Sequence, residues 1–175
     1  MELRLKRCIL RPWRHGDEVA LARHANNRKV WINMLDLFPH PYTLEDGWWW
    51  IEKGSQVENR VAFAIVVAGE AAGGIGFDRG TGNSRLTAEI GYWLGEACWG
   101  RGIATEALRA VTDWAFATTD LVRIQAGVFE WNPASARVLE KAGYLLEGRH
   151  RKAWIKDARM IDRLLYARLR ASSAS

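Results

Sequence analysis

Apolar and polar positions alternate most sharply between Leu86 and Leu94. Leu86, Ala88, Ile90, Tyr92 and Leu94 fall on one face, and Thr87, Glu89, Gly91 and Trp93 on the other. A period of two predicts a β-strand. The period changes after Gly95. From Ile103 the apolar positions Ile103, Ala107, Ala110, Val111 and Trp114 recur at helical spacing, while Glu106, Arg109 and Asp113 form a polar stripe three and four residues apart. This predicts an amphipathic helix reaching Phe116. Between strand and helix lies the segment Trp99-Gly100-Arg101-Gly102-Ile103-Ala104.

The rest of the chain can be placed around this unit. Leu3 to Leu10 reads as an opening strand ended by Pro12, and Asp17 to Asn26 as a helix, with Asn26-Asn27 capping a short helix through Trp31. Pro39 and Pro41 make Phe38 to Tyr42 irregular. Thr43, followed by Glu45 and Asp46, caps a third helix that carries Trp48, Trp49 and Trp50 and ends near Gly54. Arg60 to Ala68 and Ala71 to Asp78 form a hairpin about Gly69-Glu70, and Arg79 to Ser84 is a polar loop. Val122 to Phe129 alternates as a strand. Asn132 caps a helix with Pro133 in its first turn and Gly143 at its end. Two final strands, Leu145 to Ile155 and Met160 to Leu169, flank a turn at Lys156-Asp157, and residues 171–175 read as a disordered tail. Strands and helices do not alternate throughout, so a doubly wound dinucleotide fold is excluded in favour of an α+β arrangement with seven strands.

A chain of 175 residues, 49% apolar and 26% charged, suits one globular domain over residues 1–170. Its formal charge is +5, which favours polyanions: nucleic acid, ribosomes or a phosphorylated coenzyme. A basic helix or an aromatic RNA motif is not evident, so specific nucleic-acid binding is not expected. Cys8 and Cys98 are too few for a disulfide framework or a zinc site and point to a reducing, cytoplasmic setting. No apolar run is long enough to span a membrane.

The segment between strand and helix carries the candidate chemistry. A helix start leaves backbone N–H groups unpaired and concentrates about half a positive charge there, so a glycine-rich turn leading into it suits phosphate. Gly100 and Gly102 let the backbone curl and a ligand approach, and Arg101 adds a full charge. Two glycines also make a tight turn without any ligand, and the pattern alone leaves both readings open.

The segment WGRGIATEAL resembles the acyl-CoA signature of the GNAT N-acetyltransferases, an Arg- or Gln-led x-x-G-x-G/A loop with Gly102 and Ala104 in its last two positions. Trp99 stands in the leading position, a form that resembles the RimJ and RimL branch of ribosomal-protein N-terminal acetyltransferases. A second block, Asn132-Pro133-Ala134-Ser135 through Gly143-Tyr144 and Leu146-Glu147-Gly148, follows in family order. The resemblance implies a GNAT fold: a central mixed, mostly antiparallel seven-stranded sheet flanked by helices on both faces, its signature strand splayed from its neighbour to admit the pantetheine arm.

The resemblance also implies acetyl-CoA as co-substrate, with no metal, and direct attack on the thioester by an amine. Trp93, Leu94, Trp99, Gly100, Arg101, Gly102, Ile103, Ala104, Thr105, Asn132 and Ser135 would hold the coenzyme. Glu89 would deprotonate the amine, and Ser135 would assist the thiolate. Glu89 also reads as a carboxylate anchoring neighbouring backbone, and Ser135 and Asn132 as plain members of a helix cap. Some RimL-like proteins carry an acidic base about where Trp154 falls here. Trp31, Phe38, His40 and Tyr42 belong to the region that roofs the acceptor site in the family, together with Glu89. Tyr144 reads as core, and Cys98 as a packed thiol. Three consecutive tryptophans on a helix cannot all face one core, so at least one of Trp48 to Trp50 should be partly exposed, at the acceptor groove, at a homodimer interface or at the core edge. The favoured acceptor is a protein or peptide N-terminal α-amine. A small-molecule amine, or acyl-CoA binding without turnover, are the alternatives.

Overall fold

A computed structural model describes residues 2–171; beyond Ala171, the tail expected from the sequence lies outside the described residues. Eight strands form a single sheet in the order β1-β2-β3-β4-β5-β6-β8-β7. They are β1 (Leu3–Arg4), β2 (Ile9–Pro12), β3 (Arg60–Val67), β4 (Glu70–Arg79), β5 (Thr87–Leu94), β6 (Arg123–Phe129), β7 (Leu145–Lys156) and β8 (Arg159–Leu169). Every neighbouring pair is antiparallel except β5 with β6. The five helices are α1 (Glu18–Ala25), α2 (Arg28–Trp31), α3 (Leu44–Glu52), α4 (Ile103–Thr118) and α5 (Pro133–Lys141).

Seven strands were expected, and the eighth comes from the opening segment. Leu3 to Leu10 is a hairpin, closed by a hydrogen bond from the Leu5 N–H to the Cys8 carbonyl at 2.9 Å. The cause is a change of phase. Leu3 and Leu5 are odd-numbered while the buried Leu10 is even-numbered, and one uninterrupted strand cannot point both sets at the same face. The turn falls at Lys6 and Arg7, whose backbone N–H groups donate to the Glu106 carboxylate at 3.1 and 3.0 Å.

The sheet is covered on both faces. On one, α4 and α5 pack Ile103, Ala107, Leu108, Val111 and Leu139 against Ile75, Phe77, Ala88, Ile90, Ile124 and Val128. On the other, Leu21 and Ala25 of α1 and Ile51 of α3 meet Ala64, Val66, Ala71 and Trp13. Strand β3 serves both faces, with Phe63 and Ile65 facing α4 while Ala64 and Val66 face α1. That alternation is the period of a central strand.

The helix starts are specified locally. Thr43 accepts the Asp46 N–H at 3.2 Å while the Asp46 carboxylate accepts the Thr43 N–H at 2.7 Å, a reciprocal capping box before α3. Asn27 accepts the Lys29 N–H at the start of α2, and Asn132 accepts the Ser135 N–H at 3.1 Å ahead of Pro133. Trp50 packs edge-on against Trp13, with centroids 6.5 Å apart, whereas Trp48 and Trp49 remain 55% and 59% exposed.

Candidate active site

The segment between β5 and α4 adopts the conformation that its glycines permit. Gly100 and Gly102 have φ of +72° and +74°, a left-handed region that strains other residues. Gly102 is the N-cap of α4 and offers no side-chain cap. The first helical bond runs from the Glu106 N–H to the Gly102 carbonyl at 3.1 Å, so the N–H groups of Ile103, Ala104 and Thr105 precede the helix ladder. A Cβ built on Gly100 would meet nothing within 4 Å, and one on Gly102 would come no closer than 3.5 Å to the Arg7 Nε. Open space, uncapped donors and the exposed side chains of Arg7 and Arg101 fit the phosphates of a coenzyme. Trp99 ties the start of this loop to the end of β5 by donating its indole N–H to the Leu94 carbonyl at 2.6 Å.

Next to the loop the sheet forks. Strands β5 and β6 pair at Thr87 with Arg123, Ala88 with Ile124 and Glu89 with Gln125, and no further. Strand β5 stays paired with β4 to Leu94, and β6 with β8 to Phe129. The two strands therefore part after Glu89, leaving backbone groups on each facing edge without a partner across the gap. Gly91 lies just inside the fork, and a Cβ there would meet nothing within 4 Å.

Glu89 stands at the apex with about half of its side chain exposed. Its Oε1 accepts from Arg163 Nη2 at 2.8 Å, and its Oε2 lies 3.5 Å from Gln125 Nε2, a marginal contact. The Arg163 guanidinium sits 5.1 Å from the Trp154 ring centroid, and Trp154 packs edge-on against Phe129 at 5.0 Å. Gly127 makes this possible. A Cβ on it would fall 2.5 Å from Trp154 and 2.6 Å from Arg163 Nε. A paired but accessible carboxylate thus occupies the apex, with a tryptophan filling position 154.

On the α4 and α5 side, Ser135 is the third residue of α5, in its first turn, and is partly buried. Its Oγ is 2.8 Å from the Tyr92 hydroxyl, which also reaches the Ser135 carbonyl at 3.2 Å. Tyr144 is fully buried and bonds the Thr112 hydroxyl at 2.7 Å. Burial pushes its phenol up to about 12. Cys98 is buried in the same core, and burial pushes the Cys8 thiol up to about 11.

The four aromatic residues expected to roof an acceptor divide into two pairs. Phe38 packs on Tyr42 at 5.0 Å and on Trp93 at 5.5 Å, and Tyr42 is buried. Trp93 thereby faces α1 and α3 while Leu94 is buried with α4. Trp31 stacks on His40 at 5.4 Å and lies 3.8 Å beneath the ammonium of the buried Lys156, which pairs with Asp36 at 2.9 Å. A groove of about 500 Å³ opens beyond the carboxyl ends of β5 and β6, lined by Lys29, Ile32, Asn33, Trp99, Trp131, Asp157 and Arg159. Sequence patterns singled out only Trp99 among these. Trp131 stands directly before the recognised Asn132, and that adjacency is the one local hint of its place.

A family model described as an acetyltransferase (GNAT) domain matches residues 7–145. The chain belongs to the GNAT acetyltransferase family. Its GNAT domain is an acetyl-CoA-dependent acetyltransferase domain, and the fork and glycine loop lie within the matched span. The probable N-acetyltransferase YjcK of Bacillus subtilis is 56% identical over 66 residues, 38% of this chain and 36% of that protein. The ribosomal-protein-serine acetyltransferase of Escherichia coli is 36% identical over 107 residues, 61% of this chain and 59% of that protein. The chain thus matches roughly a third to three fifths of the length of these relatives. Among solved structures, Mycobacterium smegmatis RimJ in complex with a CoA disulfide superposes with a TM-score of 0.83 at 29% identity, over 93% of this chain and 81% of that one. The relatives place this GNAT chain near the RimJ and RimL branch. Among the described residues, no cluster of His, Cys, Asp and Glu is arranged to hold a metal ion, and no helix is long and apolar enough to cross a membrane.

Proposed function

We propose that the protein transfers an acetyl group from acetyl-CoA to the N-terminal α-amine of a peptide or protein in the cytoplasm. The fork between β5 and β6, with the Glu89 carboxylate at its apex and an uncapped helix start beside it, is the observation that carries this reading. Bound acetyl-CoA supplies the activated acyl group. Amides at Ile103, Ala104 and Thr105, with Gly100, Arg101 and Gly102, hold its phosphates, and the backbone edge of Trp93 and Leu94, with Trp99, flanks its arm. Glu89 takes a proton from the acceptor's ammonium, directly or through one water, and leaves a neutral amine to attack, while Arg163 keeps the carboxylate in place. Ser135 donates to the sulfur as the carbon–sulfur bond breaks and the carbon–nitrogen bond forms. An α-amine with a pKa of about 8 needs only a weak base, whereas a lysine near about 10.4 is neutral in about one part in a thousand at cellular pH.

Two observations support an α-amine acceptor: the likeness to a ribosomal-protein-serine acetyltransferase and to RimJ, and the net charge of +5. Trp99 and Trp131 in the groove favour a second acceptor, a small aromatic amine. The exposed pair Trp48 and Trp49 is the face through which a homodimer would form. The deciding assay offers peptides with free and with blocked N-termini, alongside small amines, and follows release of the coenzyme thiol. Turnover confined to free N-termini is expected. Turnover of small amines alone would replace the acceptor assignment, and coenzyme binding without turnover of any amine would make the protein a sensor.

A further inference from the structure

We infer that Tyr92 is a positioning residue that turns the Ser135 hydroxyl hydrogen toward the leaving thiolate. The inference rests on the proposed role of Ser135 and adds a residue to it. Tyr92 lies on β5 beyond the point where β6 departs, and its side chain crosses toward the first turn of α5. Its hydroxyl meets two oxygens of the same residue, the Ser135 Oγ at 2.8 Å and the Ser135 carbonyl at 3.2 Å.

A phenol has one hydrogen and a serine hydroxyl has one, so two arrangements share this geometry. In the first, Tyr92 donates to the carbonyl and Ser135 donates to Tyr92, which leaves no hydrogen for the coenzyme. In the second, Tyr92 donates to Oγ and the Ser135 hydrogen is free to point outward. An anion forming at the sulfur favours the second arrangement, because a charge-assisted hydrogen bond is stronger than the neutral one given up. Burial raises the Tyr92 phenol well above its ordinary value, so it keeps its hydrogen throughout. The Ser135 backbone is fixed by Asn132, whose side chain accepts the Ser135 N–H at 3.1 Å. Only the two hydroxyl hydrogens, of Tyr92 and of Ser135, therefore have to move. As the carbon–sulfur bond breaks, the sulfur takes the electron pair and accepts the Ser135 hydrogen bond. The thiolate then leaves with a proton supplied through Ser135 and replaced from solvent.

The test is a double-mutant cycle of Tyr92→Phe, Ser135→Ala and the double variant, scored as thiol release with the amine that the wild-type enzyme turns over. Tyr92→Phe keeps the ring, and thermal unfolding checks that the fold is intact. The expected result is a loss in kcat of about tenfold, the effect of about 1.4 kcal/mol, with the KM for acetyl-CoA unchanged. The double variant should be no slower than Ser135→Ala. A tenfold loss that recurs in full in the Ser135→Ala background means that Tyr92 acts by packing, and it overturns the inference. Full rate in Tyr92→Phe alone overturns the inference and leaves the role of Ser135 standing. Full rate in Ser135→Ala removes both.

Discussion

Replacing Gly102 by glutamate tests the coenzyme site at its most constrained residue. The backbone there has φ of +74°, so a glutamate side chain raises the free energy of the folded state by about 1–2 kcal/mol. Space is not the obstacle. The nearest atom to a built Cβ is the Arg7 Nε at 3.5 Å, an ordinary contact. A protein of this size loses about 2–4 °C in Tm per kcal/mol, so the variant should fold and melt a few degrees lower. Charge dominates the effect on binding. A carboxylate about 6 Å from a phosphate, at an effective dielectric constant of about 20, is opposed by about 3 kcal/mol for each unit charge. Arg7 can approach the new carboxylate and offset part of this. A loss in acetyl-CoA affinity of at least about a hundredfold is expected, read by titration calorimetry on the folded variant. Gly102→Asn supplies the control, since asparagine tolerates the left-handed region and carries no charge. It should bind far better than Gly102→Glu. Wild-type affinity in a folded Gly102→Glu protein would refute the assignment of this loop to the phosphates.

Glu89→Gln should preserve coenzyme binding and lower kcat by about a hundredfold, the lower end of general-base contributions, because an α-amine is partly neutral already; a full rate across the pH profile places the base elsewhere. Gly127→Ala sets a methyl against Trp154 and Arg163 and should destabilise the fold by about 1–3 kcal/mol while leaving acetyl-CoA affinity unchanged, checked by thermal melting and calorimetry. Tyr144 has a folded-state pKa of about 12, raised by burial from an unfolded value of about 10. Its contribution is therefore complete below about pH 10 and lost as pH rises toward about 12. Tyr144→Phe should flatten alkaline unfolding in that window without changing kcat, and an unaltered unfolding curve would contradict the assignment.

The strand, loop and helix around Gly100 were legible because the apolar period changes from two to near four within a few residues and the glycines mark the join. The caps at Thr43 and Asn132 were legible on another ground, since each is specified by residues within one turn of it. The break between β1 and β2 was present in the sequence as a phase slip between Leu5 and Leu10, but a short apolar run hides such a slip. The partners of the site residues were not legible. Arg163 reaches Glu89 because β8 lies beside β6, and Tyr92 reaches Ser135 because α5 returns over the fork. Such pairings follow from sheet order, which leaves no local period. Trp131 and Arg159 in the groove were missed on the same ground.

Three residue pairs hold the first five strands of the sheet to the last three. The fork is thus also a seam. Helices α4 and α5 bridge it on one face through Leu108 and Leu139, with Tyr144 just beyond α5, but the ladder itself is nearly cut. A ligand lying in the gap and bound only by the folded sheet stabilises that sheet by mass action. The coenzyme would then act as the missing rung of a ladder as well as a reactant. Amide exchange along β6 and the adjoining edge of β5 should slow most when it binds, and the two halves should open separately in its absence.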